Sequence, residues 1–343
     1  MRIKNIFGIL GASLLGVATV GALTLSSNGS LARDAGNVNS TSKVNLVSSS
    51  TPPVEEKEIT VMTYNVCAGF CPSLAPWKTR AKTIAQDVAE ESPDVLVTQE
   101  TGGWSTDVQI LREELEAVGY KIVPGGGYGR YLWVKDGVSV LDSGLWRIQA
   151  KGAGNCYHPL TGKKTRLKSG KVQYFPYATV LANGNKVTVA GVHLSASDCS
   201  VTDKHREYEA VTVYNKLKVE IRKHNSSPII AGDFNSYARY AKDSKSVSSN
   251  KYRYRVFKAL GRGNMVSAYE YTPAVRVVGN AKGSHSYVDP PSIRRNLGQN
   301  RQFDHVVIPK EMSSPKRYSL GPLRSASTRT SDHRYVSVVV GLS

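Results

Sequence analysis

The stretch Ile229-Ile230-Ala231-Gly232-Asp233-Phe234-Asn235 decides how this chain folds. An apolar β-type run stops at a carboxylate, and a carboxamide follows two residues later. The same arrangement recurs along the chain. Ile59 to Met62 leads to Thr63-Tyr64-Asn65, Val95 to Val97 to Gln99-Glu100, and Val187 to Val189 to Gly191-Val192-His193-Leu194-Ser195. Phe303-Asp304-His305 precedes Val306 to Ile308, and Ser331-Asp332-His333 precedes Val336 to Val340. Strand ends in a sandwich converge on one rim, so imidazoles, several carboxylates and carboxamides are expected to meet there. Such a group suits a hard cation with acid–base residues beside it, and attack of water on a phosphate ester.

In order and wording, these six segments resemble the endonuclease/exonuclease/phosphatase superfamily, from about Ile59 to the C-terminus. Arg130-Tyr131-Leu132-Trp133, followed by Val138-Ser139-Val140-Leu141-Asp142, looks like the secreted deoxyribonuclease I branch, as does Gly191 to Ser195. The resemblance implies an α/β fold, a four-layer α/β/β/α sandwich. It implies that Asp304 orients His333, that His193 donates to a phosphate oxygen or the leaving group, that Asp233 aligns or activates water, and that Asn235 donates to developing charge. Arg130 and Tyr131 are the expected substrate contacts. Two positions depart from that branch. Gly129 stands where an acidic residue orients the first catalytic histidine, and Gly102 where a basic residue grips DNA.

Among oxygen donors Glu100 is the best metal-ligand candidate, with Asn65 through its side-chain oxygen and Asp332 directly or through water. Mg²⁺ suits them because it takes oxygen ligands and keeps waters, with Mn²⁺ or Ca²⁺ as alternatives. His158, His205, His224, His285 and His305 match no catalytic position of that family and are expected to be structural or on the surface.

Helical spacing predicts one helix around Ala81, Ile84, Ala85 and Val88, ended by Ser92-Pro93. A second carries Val108, Leu111, Leu115 and Val118, and a third carries Ala210, Val213, Leu217 and Ile221 and opens at Thr202. Strands are predicted at Tyr131 to Val134, Val138 to Leu141, Tyr174 to Leu181 and Lys186 to Val192.

Arg2 and Lys4 precede the apolar stretch Ile6 to Leu25, and Ser30-Leu31-Ala32 supplies a small-x-small cleavage site. Residues 1–32 therefore read as an export signal, and the mature protein is expected outside the cell. Residues 33–57, rich in Ser, Asn, Thr and Pro, read as a flexible linker, and 58–343 as one domain. Four cysteines in an exported chain suggest two disulfides. Three pairings are possible; Cys67–Cys71 with Cys156–Cys199 is favoured, because Cys156 and Cys199 are expected near one rim.

The formal net charge is +18, which favours a polyanionic partner. Lys163, Lys164, Arg166, Lys168 and Lys171 form one basic cluster. In another, Lys251, Arg253, Arg255, Lys258 and Arg262 alternate with Tyr252, Tyr254 and Phe257, and Arg294, Arg295 and Arg301 lie just before Asp304. The leading expectation is a monomeric, Mg²⁺-dependent nuclease that contacts nucleic acid through backbone phosphates, with no obligate protein partner. A secreted lipid phosphoesterase is the alternative, with Tyr269, Tyr271 and Tyr287 flanking a loop that could meet a membrane. A non-catalytic binding module is the third, but binding alone does not require both imidazoles.

Overall fold

The structure, a computed structural model, describes residues 57–342 except 70, 72, 103–104, 153, 158–163, 168–169, 197–199, 237–254, 272–275, 279–301, 313–314, 323 and 325–327. The expected export signal and residues 33–56 of the linker lie outside the described residues. Lys57 does not: it opens the first strand, so the fold starts one residue before the expected boundary.

Two mixed sheets carry the architecture. The larger has seven strands in the order β12-β14-β15-β1-β2-β4-β3. Its elements are β1 (Lys57–Asn65), β2 (Val95–Gln99), β3 (Tyr120–Ile122), β4 (Tyr131–Lys135), β12 (Arg276–Val278), β14 (Pro315–Leu320) and β15 (Val336–Leu342). The second has six strands in the order β11-β13-β10-β9-β8-β5. These are β5 (Ser139–Gln149), β8 (Val172–Ala182), β9 (Asn185–His193), β10 (Ser227–Asp233), β11 (Met265–Ser267) and β13 (Asp304–Pro309). A separate hairpin joins β6 (Gly154–Tyr157) to β7 (Lys164–Leu167).

The continuous apolar runs are explained by strands buried on both faces. Ile59, Val61, Val95 and Val97 point between the sheets, where they meet Val187, Val189, Ile229, Ala231 and Val306. The intervening residues point outward. Met62, Tyr64 and Leu96 pack with Ile84 and Leu111 of α1 (Trp77–Glu91) and α2 (Ser105–Glu116). On the other side, Val192 and Ile230 pack with Val213 and Leu260 of α3 (Ser200–His224) and α4 (Arg255–Arg262). Helices thus flank both sheets, giving the α/β/β/α sandwich. Each fully buried aliphatic residue in these layers contributes about 1.5–3 kcal/mol.

Helix α1 ends as its sequence indicates. Ser92 takes a left-handed φ of 50° and donates its N–H to Val88 O before Pro93. Helix α3 starts at Ser200, two residues before Thr202. The basic–aromatic segment around Phe257 is a different object from the one expected. Arg255–Arg262 is an amphipathic helix that buries Val256, Phe257 and Leu260, and the Phe257 ring lies 4.5 Å from His305.

Strand register gathers the motif residues. β1 and β2 run parallel with Asn65 beside Gln99, and β9 and β10 run parallel with His193 beside Asp233. Asp304 pairs with Asp233 across the antiparallel β10–β13 ladder, and Thr63 pairs with Val336, just after His333. Gly232 permits this approach. Its φ is +150°, and a Cβ there would collide with the Val192 carbonyl.

Candidate active site

Asp233 lies at the centre of the rim and is 2% exposed. Its Oδ2 accepts from Asn65 Nδ2 at 3.2 Å and lies 3.7 Å from His193 Nε2 and 3.9 Å from His333 Nε2. Its Oδ1 accepts the Asn235 backbone N–H at 2.7 Å. Glu100 Oε1 accepts from Asn65 Nδ2 at 3.1 Å and lies 3.7 Å from His193 Nε2. Glu100 and Asn235 both hold left-handed backbone, φ 52° and 47°. Sparsely populated backbone of this kind clusters at functional sites, where surrounding structure holds it in place.

The electrostatics separate the two imidazoles. Burial holds the His193 ring well below its usual pKa, and the charges of Arg130 and His333 push the same way. Burial would also lower His333, but the charges of Asp304 and Asp332, a hydrogen bond from Nδ1 to Asp304 Oδ2 at 2.7 Å, and the charge of Asp233 outweigh it. His333 is therefore held well above its usual range. The Asp233 carboxyl is pushed up to about 7, first by burial and then by the charge of Asp304. A neutral imidazole, a carboxyl poised near neutrality and an imidazolium stand side by side.

Asn65 is oriented differently from a simple ligand. Its Oδ1 accepts the Cys67 backbone N–H at 3.2 Å, and a backbone N–H can only donate, so its amino group faces the carboxylates. Asp332 is partly exposed in the loop before His333. Burial raises the Glu100 carboxyl, and the charges of Asp332 and Asp304 add to that rise. Crowded, partly open carboxylates that disfavour one another's charge fit a hard divalent cation.

Arg130 turns inward. Its Nη2 donates to Gln173 Oε1 at 2.6 Å and to the His193 carbonyl at 3.2 Å, and its Nη1 donates to the Tyr128 carbonyl at 3.1 Å. It braces the end of β9 on the side where Gly129 offers no carboxylate. Tyr131 is not brought to the cluster. It sits beside Trp133 on the outer, helix-facing side of its sheet. Asn235 donates from Nδ2 to the Leu194 carbonyl at 3.0 Å, tying the loops after β9 and β10 together. Cys67 and Cys71 form a disulfide. The pairing of Cys156 with Cys199 falls outside the described side chains. Tyr269 packs on Tyr318 and His305 in the core, while Tyr287 and the Tyr271 side chain lie outside the described set.

Several residues that sequence reasoning missed support the site from behind. Arg80 is 3% exposed, and its Nη1 donates to Val66 O at 3.1 Å and to Thr330 O at 2.8 Å. It thereby joins the loop after Asn65 to the loop before His333. Glu209 accepts the Ser195 N–H at 2.9 Å and its hydroxyl at 2.6 Å, and Arg206 Nη1 donates to Ser195 O at 2.9 Å. The available signal was a charged residue on an apolar helical stripe: Arg80 lies four before Ile84, and Arg206 four before Ala210. Gln173 had no such signal.

Three comparisons bear on this arrangement. The endonuclease/exonuclease/phosphatase family profile matches residues 62–333. Among solved structures, a family protein from Bacteroides thetaiotaomicron superposes with TM-score 0.59 at 18% identity, over 84% of this chain and 99% of that one. A mannosyl-6-phosphatase from the same species gives 0.57 at 19% identity, over 82% and 98%. The human nocturnin catalytic domain with bound sulfate gives 0.55 at 17%, over 84% and 96%. At these identities the likeness is one of fold. Comparison with curated protein sequences gives no match. With its profile match running from β1 to the His333 loop, the chain belongs to the endonuclease/exonuclease/phosphatase family of phosphoesterase hydrolases.

Proposed function

We propose that this protein is an exported, metal-dependent phosphodiesterase that hydrolyses nucleic acid, with DNA as the leading substrate and RNA as the second to test, by attack of water on the phosphodiester. The observation that carries this reading is Asp233 Oδ2 set between two imidazoles, those of His193 and His333, 3.7 and 3.9 Å away. Asp233 aligns the attacking water and takes its proton. His333, held by Asp304, gives its Nε2 proton to the leaving oxygen, and His193 donates to a non-bridging phosphate oxygen. Transfer of the proton from Asp233 to His333 restores both groups. Glu100 and Asp332, with Asn65 lining the site, would hold a magnesium ion, which when bound supplies polarisation of a phosphoryl oxygen and charge neutralisation. Manganese or calcium would suit the same oxygen donors.

The +18 net charge supports a polyanionic substrate. The deciding assay gives the purified protein plasmid DNA, RNA and sphingomyelin vesicles in parallel, with and without EDTA. DNA cleavage that stops in EDTA is expected; intact DNA beside rapid headgroup release would overturn the reading in favour of a lipid phosphoesterase. Glu100→Gln should lose most activity at an unchanged melting temperature. Neutralising Lys163, Lys164 and Arg166 together should weaken DNA binding and flatten its salt dependence, while hydrolysis of a small soluble phosphodiester hardly changes.

A further inference from the structure

We propose that Tyr128 and Tyr174 form a stacking platform that receives one unpaired nucleobase beside the scissile phosphate, making single-stranded nucleic acid the preferred substrate. This rests on the nuclease reading above and narrows its substrate.

Tyr128 is 64% exposed, more than any other large hydrophobic side chain among the described residues. Its ring stacks on Tyr174 with centroids 3.8 Å apart and planes 8° from parallel. Burial does not explain it, and neither does the turn. Tyr128 sits in Gly125-Gly126-Gly127-Tyr128-Gly129 at φ 54°, where glycine would be unstrained and a bulky residue is an outlier. A costly, solvent-facing aromatic ring held flat by a second ring is a preformed surface for a planar partner.

Its position selects the partner. In β8, Ala178 and Val180 point between the sheets, so Tyr174 shares that face by strand alternation. In β9, Val187 and Val189 point the same way, and His193 shares their face. The β8–β9 register pairs Tyr177 with Ala190; continued three residues, it sets Tyr174 opposite His193. The strands still run side by side there, since a Cβ on Gly191 would lie 3.2 Å from Pro176 Cγ. Tyr128 is tied to the same place, because Arg130 donates to both the Tyr128 and His193 carbonyls. A phosphodiester at His193 therefore carries its neighbouring nucleoside toward the exposed ring. Stacking on a protein ring requires a free base face, which single strands offer and duplexes withhold.

The test compares three substrates of equal length: a single-stranded DNA oligonucleotide, its duplex, and a single strand with abasic residues around the cleavage position. Tyr128→Gly suits the turn's backbone, so its melting temperature should be kept or rise. Its kcat/KM on the base-bearing single strand should fall about 5- to 150-fold, the range for losing one stacked base. On the abasic strand it should hardly change, and Tyr128→Trp should retain activity. Equal losses on base-bearing and abasic strands, or no loss with Tyr128→Gly, would overturn the platform while leaving the nuclease reading intact. Failure of the wild-type protein to cut any oligonucleotide would instead remove that reading and the platform with it.

Discussion

His193 and His333 approach the same carboxylate, Asp233, from different sheets, yet their surroundings drive their charges apart. His193 ends β9 with the Arg130 guanidinium against its carbonyl, and burial and that cation keep its ring neutral. His333 precedes β15 with Asp304 on its Nδ1, and against the effect of burial the carboxylates keep its ring charged. One side-chain type thus has its pKa pushed in opposite directions 3.7 and 3.9 Å from a shared oxygen. The neighbours that set those states come from distant strands, so the division of labour belongs to the assembly rather than to either residue.

Several measurements would break or sharpen that contrast. The largest effect is expected at the charged ring: His333→Ala should lower kcat by about 10²- to 10⁴-fold, the usual range for a positioned acid–base group. His193→Ala should cost about 10²-fold. A wild-type rate for either variant removes that residue from the chemistry. Next comes a third imidazole used as a control. His305 is buried, receives the Ser267 hydroxyl hydrogen on Nδ1 at 2.9 Å, and places Nε2 against the Ser236 and Gln302 carbonyls. Burial pushes it from 6.5 down to about 4. The unfolded chain then binds a proton that the folded one refuses, so stability is full above pH 6.5 and falls as pH drops toward 4. The total from this group is about 3 kcal/mol. Following the His305 ring by NMR checks it; a midpoint near 6.5 contradicts it.

A smaller effect is expected at Cys67–Cys71, which closes a loop with sequence separation 4. Replacing both cysteines with serine should cost about 2 kcal/mol in denaturant unfolding by the chain-entropy relation. Thiol titration of the denatured, unreduced protein should find no free thiol, which also tests the Cys156–Cys199 pairing. The smallest is a shift rather than a loss. Arg130→Met removes a cation that lowers the His193 pKa, so the His193 ring, followed by NMR, should titrate at a higher pH. An unmoved His193 titration would mean that Arg130 acts only by bracing β9.

Much of the site was legible because it sits where strand pattern changes. Asn65, Glu100, His193, Asp233, Asp304 and His333 interrupt apolar runs, and the rim follows from where those runs stop. The inward turn of Arg130 was not legible, because a basic residue beside an aromatic one reads equally as a surface pair. The burial of Phe257 was hidden in the same way, since its helix carries Arg255, Lys258 and Arg262 on the other side. Gln173 carries no signal at all; only its contacts with Arg130 and Ser195 give it a place.

The sequence by itself determined which segments are buried on two faces and which polar residues end them, because the periodicity of apolar residues is a local property of the chain. Only the tertiary structure decided in which direction the pKa of each of two identical imidazoles is shifted, which way the Asn65 amide faces, and that Tyr128 lies flat on Tyr174. Charge, hydrogen-bond direction and stacking depend on distances of a few ångströms between residues far apart in the chain, and those distances exist only once the two sheets have packed.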